Sequence, residues 1–359
     1  MNVAVIGAGN GGQAFAAYFT HLGCRVSLYN RSIKALEDIE NNGGIELMGV
    51  YCYKEKIHLL SGNIEEAIKD ADLIMVAMPA NAHHHIAKKM APYLKDGQVV
   101  VLNPGRTFGT YNFMNVLKSS GLNADIVLAE TDTLVFTCRV LRNGICRIFS
   151  LKKELYIAAH RPENTKIVYD MLSKYFDILI PAKSVLFTGL SNLGVIFHPV
   201  PIILNVARIE CKETFSHYQE GITPTVASLL EKIDGERVEI ARQLNIEVDS
   251  AINWLNRIYK SEGETLYEAL QNNPAYTEVL APSTIHNRYI YEDIETGLVP
   301  LSAIAHKIGV KSNTIDAIIN MANLLYDFDF VHHGRNESRI DLENIVRQTE
   351  EKNIIYRIS

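Results

Sequence analysis

His198 is the residue whose type and setting most invite chemistry. It stands in Val185–Ala207, VLFTGLSNLGVIFHPVPIILNVA, a run without Asp, Glu, Lys or Arg, and is followed by Pro199 and Pro201. An imidazole titrates near neutral pH and serves as a general acid or base. Pro199 frees the carbonyl of Val195 and Pro201 that of Phe197, so a helix over Leu186–Glu210 is expected to kink at His198. On these residues alone, a satisfied core histidine and a functional one are equally good readings. A second pair follows in RYIYEDIETGLVP, where Arg288 and Asp293 stand among aromatic and apolar residues. It reads either as a solvated pair on a helix end or as an Arg for a carboxylate and an Asp that orients His198.

The N-terminus carries a different chemistry. Asn2–Ile6 (NVAVI) reads as a buried strand, Gly7-Ala8-Gly9-Asn10-Gly11-Gly12 follows, Gln13–Leu22 has helical spacing, and Arg25–Tyr29 reads as a second strand. Strand, GxGxxG, helix and strand together form a dinucleotide-binding fingerprint. Gly7 permits the tight turn, Gly9 lets the backbone approach a pyrophosphate, and Gly12 lets helix and strand pack closely. The phosphates would sit on the helix N-terminus, facing its free amides and positive dipole end. NAD-binding units usually end the second strand with a carboxylate, whereas this chain has Asn30-Arg31-Ser32. Arg31 can pair bidentately with a phosphate and its neighbours can donate to one, which favours NADP over NAD.

These elements need a scaffold, and the rest of the first half supplies one. Asp72–Met78, Gln98–Leu102, Ile126–Ala129 and Leu155–Ala159 read as further buried strands. Pro79-Ala80, Asn103-Pro104-Gly105 and Glu130-Thr131 fall at strand ends, where open α/β sheets bind ligands. Pro79, Ala80, Asn103 and Gly105 therefore join Gly7, Gly9, Asn10, Gly11, Gly12, Asn30, Arg31 and Ser32 as cofactor-site candidates. His83, His84 and His85 open the next helix; neighbours in sequence point different ways, so they make a poor metal site. After about Pro181 the pattern turns helical: Thr225–Leu244, Ser250–Tyr259, Leu266–Gln271, Leu301–Ile308 and Thr314–Tyr326. The expected fold is α/β, an N-terminal Rossmann dinucleotide-binding domain over residues 1–182. An all-α domain for substrate and dimerisation follows over residues 183–359, its tail from Gly334 a charged surface helix.

Composition bounds the partners. The 359 residues are 47% hydrophobic and 21% charged, with net charge −6 and no basic block, which argues against nucleic acid. Five cysteines without a CxxC pair speak for a reducing compartment and against a structural zinc. No signal peptide is evident at the N-terminus, so the expected location is cytoplasmic. The charge-free run is long enough to span a bilayer, but two Asn, one His and two Pro make it a poor span. It reads as a helix buried in protein.

GAGNGGQAFAAYF, Pro79-Ala80, LNPG, ETDTLVFTCR, FHPVP, EGITPTV and RYIYEDIETGLVP, in this order from residue 1 to about residue 330, resemble the opine dehydrogenase family of the octopine/nopaline type. The resemblance implies a Rossmann domain joined to a helical one, with the active site between them. It implies NAD(P)H-dependent reductive condensation of an amino acid's amine with an α-keto acid, and the reverse oxidation. It also places the family's catalytic His on His198, its paired Asp on Asp293 and its substrate-carboxylate Arg on Arg288. Relatives often have Asn one turn before the His; here that position is Gly194, and whether Asn192 takes over the polar, substrate-binding role is left open by the sequence. The implied partners are small molecules, an amino acid and a keto acid, and any assembly is expected to be a homodimer. Competing readings are a 2-keto acid reductase of the ketopantoate or 6-phosphogluconate type, which usually carries Lys in place of His198, and a non-catalytic NADP sensor.

Overall fold

The computed structural model describes residues 1–349 and divides into two compact units, one of Met1–Gly189 and one beginning at Leu190. Unit 1 contains twelve strands: β1 (Asn2–Ile6), β2 (Arg25–Tyr29), β3 (Ile45–Gly49), β4 (Tyr53–Glu55), β5 (Leu59–Ser61), β6 (Leu73–Val76), β7 (Val99–Leu102), β8 (Val127–Thr131), β9 (Phe136–Arg142), β10 (Ile145–Leu151), β11 (Leu155–Ala159) and β12 (Leu179–Pro181). Eight form one sheet in the order β12-β11-β8-β7-β6-β1-β2-β5, parallel except where β11 meets β8. The central runs VAVI, LIMV and VVVL are buried throughout, as strands covered on both faces must be. The α/β reading of this half holds, with a Rossmann-type sheet order that jumps between β1 and β6.

A second sheet, β4-β3-β10-β9, was not foreseen. Its strands are short or largely accessible: Phe136–Arg142 buries Phe136 alone, and Ile145–Leu151 buries only Cys146 and Ile148. The Asn143-Gly144 dipeptide between them, with Gly144 at φ +85°, is a hairpin signal that sequence reading passed over. The division between units falls after Gly189 because the last residues before it belong to unit 1. Thr188 Oγ1 donates to Glu130 Oε1 at 2.7 Å, and Thr107 Oγ1 donates to the Gly189 carbonyl at 3.1 Å.

The charge-free run corrects an expectation. Instead of one kinked helix over Leu186–Glu210, there are four short ones: Val185–Leu190, Gly194–Phe197, Pro199–Leu204 and Val206–Glu210. The first break is a turn at Ser191–Leu193, where Asn192 Oδ1 accepts from Gly194 N at 3.2 Å. The second is at His198 (φ −106°, ψ −59°), where Pro199 and Pro201 contribute no N–H and Pro199 opens the next helix. Val185–Leu204 is apolar enough to cross a membrane, and 78% of its most apolar window is buried in protein.

Unit 2 is helical, with a single isolated β-bridge, Ser216 to Leu280, among the described residues. Its longest helix, Pro224–Gln243, is capped by Thr223 and begins with Pro at its first turn. The tail is less exposed than expected: residues 342–349 are helical with Leu342 and Ile345 buried, and 350–359 lie outside the described residues. The long helix carries a buried ion pair. Asp234 Oδ1 accepts from Arg237 Nε at 3.0 Å and Nη2 at 2.6 Å, and its Oδ2 accepts from Ala251 N. Arg237 also donates to the carbonyls of Leu190 and Asp249. Both side chains are inaccessible (1% and 7% exposed), so removing one strands the other's charge. Asp234→Ala should cost about 3–5 kcal/mol of unfolding free energy in urea titration. A loss below about 1 kcal/mol, the scale of an exposed pair, would show that the pair is not structural.

Candidate active site

Unit 1 builds a cradle at the end of β1. Gly7 has φ +102°, a conformation that side-chain-bearing residues rarely adopt, and its amide donates to the Tyr29 carbonyl at 2.8 Å. Gly12 sits against the same turn, since a Cβ there would lie 1.6 Å from the Gly7 carbonyl oxygen. Gly11 faces Leu134, whose Cδ1 would be 2.9 Å from a Cβ. Gly9 is different: nothing stands within 4 Å of where its Cβ would be, and Gly9 and Asn10 are exposed. The helix Asn10–His21 begins there with no side-chain cap. An open backbone face at an uncapped helix start has the shape and charge to receive a pyrophosphate.

The surrounding candidates divide into those facing outward and those engaged within the protein. Arg31 and Ser32 are exposed at the end of β2, and Arg31 forms no ion pair among the described residues. Asn30 is turned inward: its Oδ1 accepts from Ala8 N at 3.2 Å and its Nδ2 donates to the Ser32 carbonyl. It fixes the glycine turn to the end of β2. Asn10 Oδ1 accepts from Val140 N at 2.8 Å, tying the turn to β9. Past β6, Pro79 is exposed and Ala80 buried. Asn103 is buried after β7, its Nδ2 donating to the Val101 carbonyl and its Oδ1 accepting from Thr131. Gly105 is a contact point, since a Cβ would fall 2.3 Å from the Glu130 carboxylate. His83 begins the helix His83–Met90 and is buried. Among the described residues, no group of three His, Cys, Asp or Glu is placed to hold a metal.

In unit 2, His198 and Asp293 meet although 95 residues separate them. His198 Nδ1 donates to Asp293 Oδ2 at 2.8 Å; the imidazole is 14% exposed and the carboxylate 1%. His198 sits at the junction of two short helices, and Asp293 ends the helix Arg288–Asp293. Asn287 caps that helix, its Oδ1 accepting from Tyr289 N at 2.9 Å. Five π-helical residues, Ile294–Leu298, continue it. Gly297 there packs against Val195, which a Cβ would approach to 2.1 Å, with Asn192 Nδ2 3.7 Å from the same point. Asn192 is itself buried. Arg288 is not drawn into the pair: its side chain is 62% exposed, and Nε stands 4.0 Å from Glu292 Oε2.

Two neighbours of the pair escaped sequence reading. Tyr289 lies flat on the His198 ring, with centroids 4.0 Å apart and planes 9° from parallel. His217 is buried 6.4 Å from His198, and its Nε2 donates to the Phe197 carbonyl at 3.0 Å. Burial, opposed in part by the bond to the Phe197 carbonyl and helped by the neighbouring His198, pushes the His217 pKa down to about 4. His217 therefore stays neutral at neutral pH and supports the backbone just before His198. Tyr289 was legible in RYIYED, four residues before Asp293 and so on the same helix face. His217, in a stretch without a motif, gave no signal.

The helical half matches the sequence profile described as NAD/NADP octopine/nopaline dehydrogenase, alpha-helical domain, over residues 181–326. Residues 2–115 match that of the NAD-dependent glycerol-3-phosphate dehydrogenase N-terminus. An opine dehydrogenase of Arthrobacter sp. (strain 1C) is 35% identical over 343 residues, covering 95% of each chain. Octopine dehydrogenase, solved with NADH and agmatine, shares the fold with TM-score 0.80 at 20% identity, over 94% of this chain and 95% of its own. Yersinopine dehydrogenase with NADP+ bound gives TM-score 0.74 at 15% identity, over 98% and 97%. With a glycine cradle on a parallel sheet, a helical unit carrying His198 and Asp293, and a 35% identical relative along nearly the whole length, this chain belongs to the opine dehydrogenase family, NAD(P)-dependent oxidoreductases acting on CH–NH donors.

Proposed function

We propose that the chain catalyses reductive condensation of an L-amino acid's amine with an α-keto acid such as pyruvate, with NADPH preferred over NADH. An N-(carboxyalkyl)amino acid, water and the oxidised cofactor are the products, and the same site oxidises the product in reverse. The observation that carries this reading is the 2.8 Å bond between His198 Nδ1 and the buried Asp293 carboxylate. It leaves Nε2 as the ring nitrogen able to serve a reacting group.

Imine formation needs a proton delivered to the carbonyl or carbinolamine oxygen so that water can leave. The His198 imidazolium supplies it from Nε2, and Asp293 holds the ring and balances its charge. The nicotinamide, when bound, supplies hydride to the imine carbon. Arg288, long and exposed, pairs bidentately with a substrate carboxylate, and its 4.0 Å contact with Glu292 is loose enough to exchange. Asn192 contributes by setting the turn that precedes the helix Gly194–Phe197, with its amide nitrogen beside Gly297. The five free cysteines fit a reducing, cytoplasmic setting.

The reaction is tested by following NADPH oxidation with pyruvate, with and without a panel of L-amino acids, and weighing the products by mass spectrometry. Oxidation should require the amino acid and yield the secondary amine dicarboxylate. Oxidation by keto acid alone would instead make the chain a simple 2-keto acid reductase.

Cofactor choice is tested separately. Arg31 is an exposed cation without an ion-pair partner among the described residues, at the strand end where a ribose 2′-phosphate would lie. A charge-assisted contact of this kind is worth about tenfold to a hundredfold in binding. Arg31→Ala should lower kcat/KM for NADPH by that factor and leave NADH within about threefold, inside ordinary surface-mutation effects. Equal losses with both cofactors would remove the assignment.

A further inference from the structure

Resting on the proposed role of His198, we propose that Tyr289 is a positioning residue of the catalytic unit, holding the imidazole by its face while Asp293 holds it by its edge. A hydrogen bond to Nδ1 leaves a ring free to rock about that bond. His198 particularly needs a second restraint, because its backbone lies at a break between two four- to six-residue helices followed by proline. The Tyr289 ring covers the imidazole at 4.0 Å and 9° from parallel, which blocks rotation out of the plane in which Nδ1 meets Asp293.

Both restraints come from one helix face. Tyr289 and Asp293 are four residues apart on Arg288–Asp293, so their side chains project in the same direction. Asn287 fixes the first turn by accepting the Tyr289 amide, so the tyrosine is placed by the same cap that starts the helix. His217 backs the arrangement, 5.4 Å from the Tyr289 ring and hydrogen bonded to the carbonyl of Phe197. The electron-rich face of the phenol also favours a cation above it, so the stack suits the imidazolium that the reaction uses. The stacked face is what holds the ring, and phenylalanine would keep it.

The test compares Tyr289→Phe, Tyr289→Leu and Tyr289→Met with wild type in the amine-dependent assay, and repeats Tyr289→Leu in a His198→Asn background. NADPH affinity is read by fluorescence in the same samples. A misplaced catalytic group costs up to about a hundredfold, so Leu and Met should lower kcat about tenfold or more with NADPH affinity unchanged. Phe should restore kcat to within about threefold of wild type, inside ordinary substitution effects. In the His198→Asn background, the Leu change should cost nothing further. Wild-type kcat in both Leu and Met, a Phe variant as impaired as Leu, or a further loss in the His198→Asn background would each overturn the proposal. Should Leu fail to bind NADPH, Met and Phe decide. Full activity of His198→Asn alone would overturn the reading of His198 instead, a result separate from those of the Tyr289 variants.

Discussion

The helical unit is organised around one costly arrangement, a carboxylate 1% exposed held against an imidazole 2.8 Å away. An ionised carboxylate buried this deeply is tolerated only when charge and hydrogen bonds compensate it. That requirement explains features otherwise odd for a helical core. The helix breaks at His198, where proline follows, so the imidazole is presented from a chain junction and not from a helix flank. The helix bearing Asp293 is short, capped by Asn287, and passes into a π-helical turn in which Gly297 admits Val195. These two departures from regular helix adjoin the pair, one at His198 itself and one directly after Asp293.

The sheet unit depends on a constraint of a different kind, which is steric. The cradle exists because two backbones approach more closely than any side chain permits: a Cβ on Gly12 would fall 1.6 Å from the Gly7 carbonyl oxygen. Asn30, Asn10 and Asn103, three polar residues at the strand ends, are turned to holding the turns in place. What faces outward is the open backbone at Gly9 and the guanidinium of Arg31. One unit thus uses packing to expose amides, and the other uses electrostatics to orient an imidazole.

Much of this was legible in sequence because the signals were local. Buried parallel strands read as unbroken apolar runs, and β1, β2 and β11 begin and end where the pattern places them. The glycine spacing and the RYIYED run marked the glycine turn and the helix that brings Asp293 to His198 for the same reason. Long-range or mixed features were harder to read. The second sheet pairs β3 with β10 across about a hundred residues, and its strands are too short and too polar to stand out. The first break in the apolar run carries a hydrogen bond to the Asn192 side chain that periodicity does not report. His217 has no motif, and only the fold sets it beneath Phe197.

The central claim is that His198 and Asp293 act as one unit, and a double-mutant cycle on turnover addresses it most directly. His198→Asn should lower kcat of the amine-dependent reaction by about 10²–10⁴-fold, the usual contribution of a positioned acid or base. Asp293→Asn should lower it strongly in the wild-type background and change little once His198 is already Asn, because partners in one device are not additive. Near-normal turnover of His198→Asn, or losses that simply multiply in the double variant, would contradict the account.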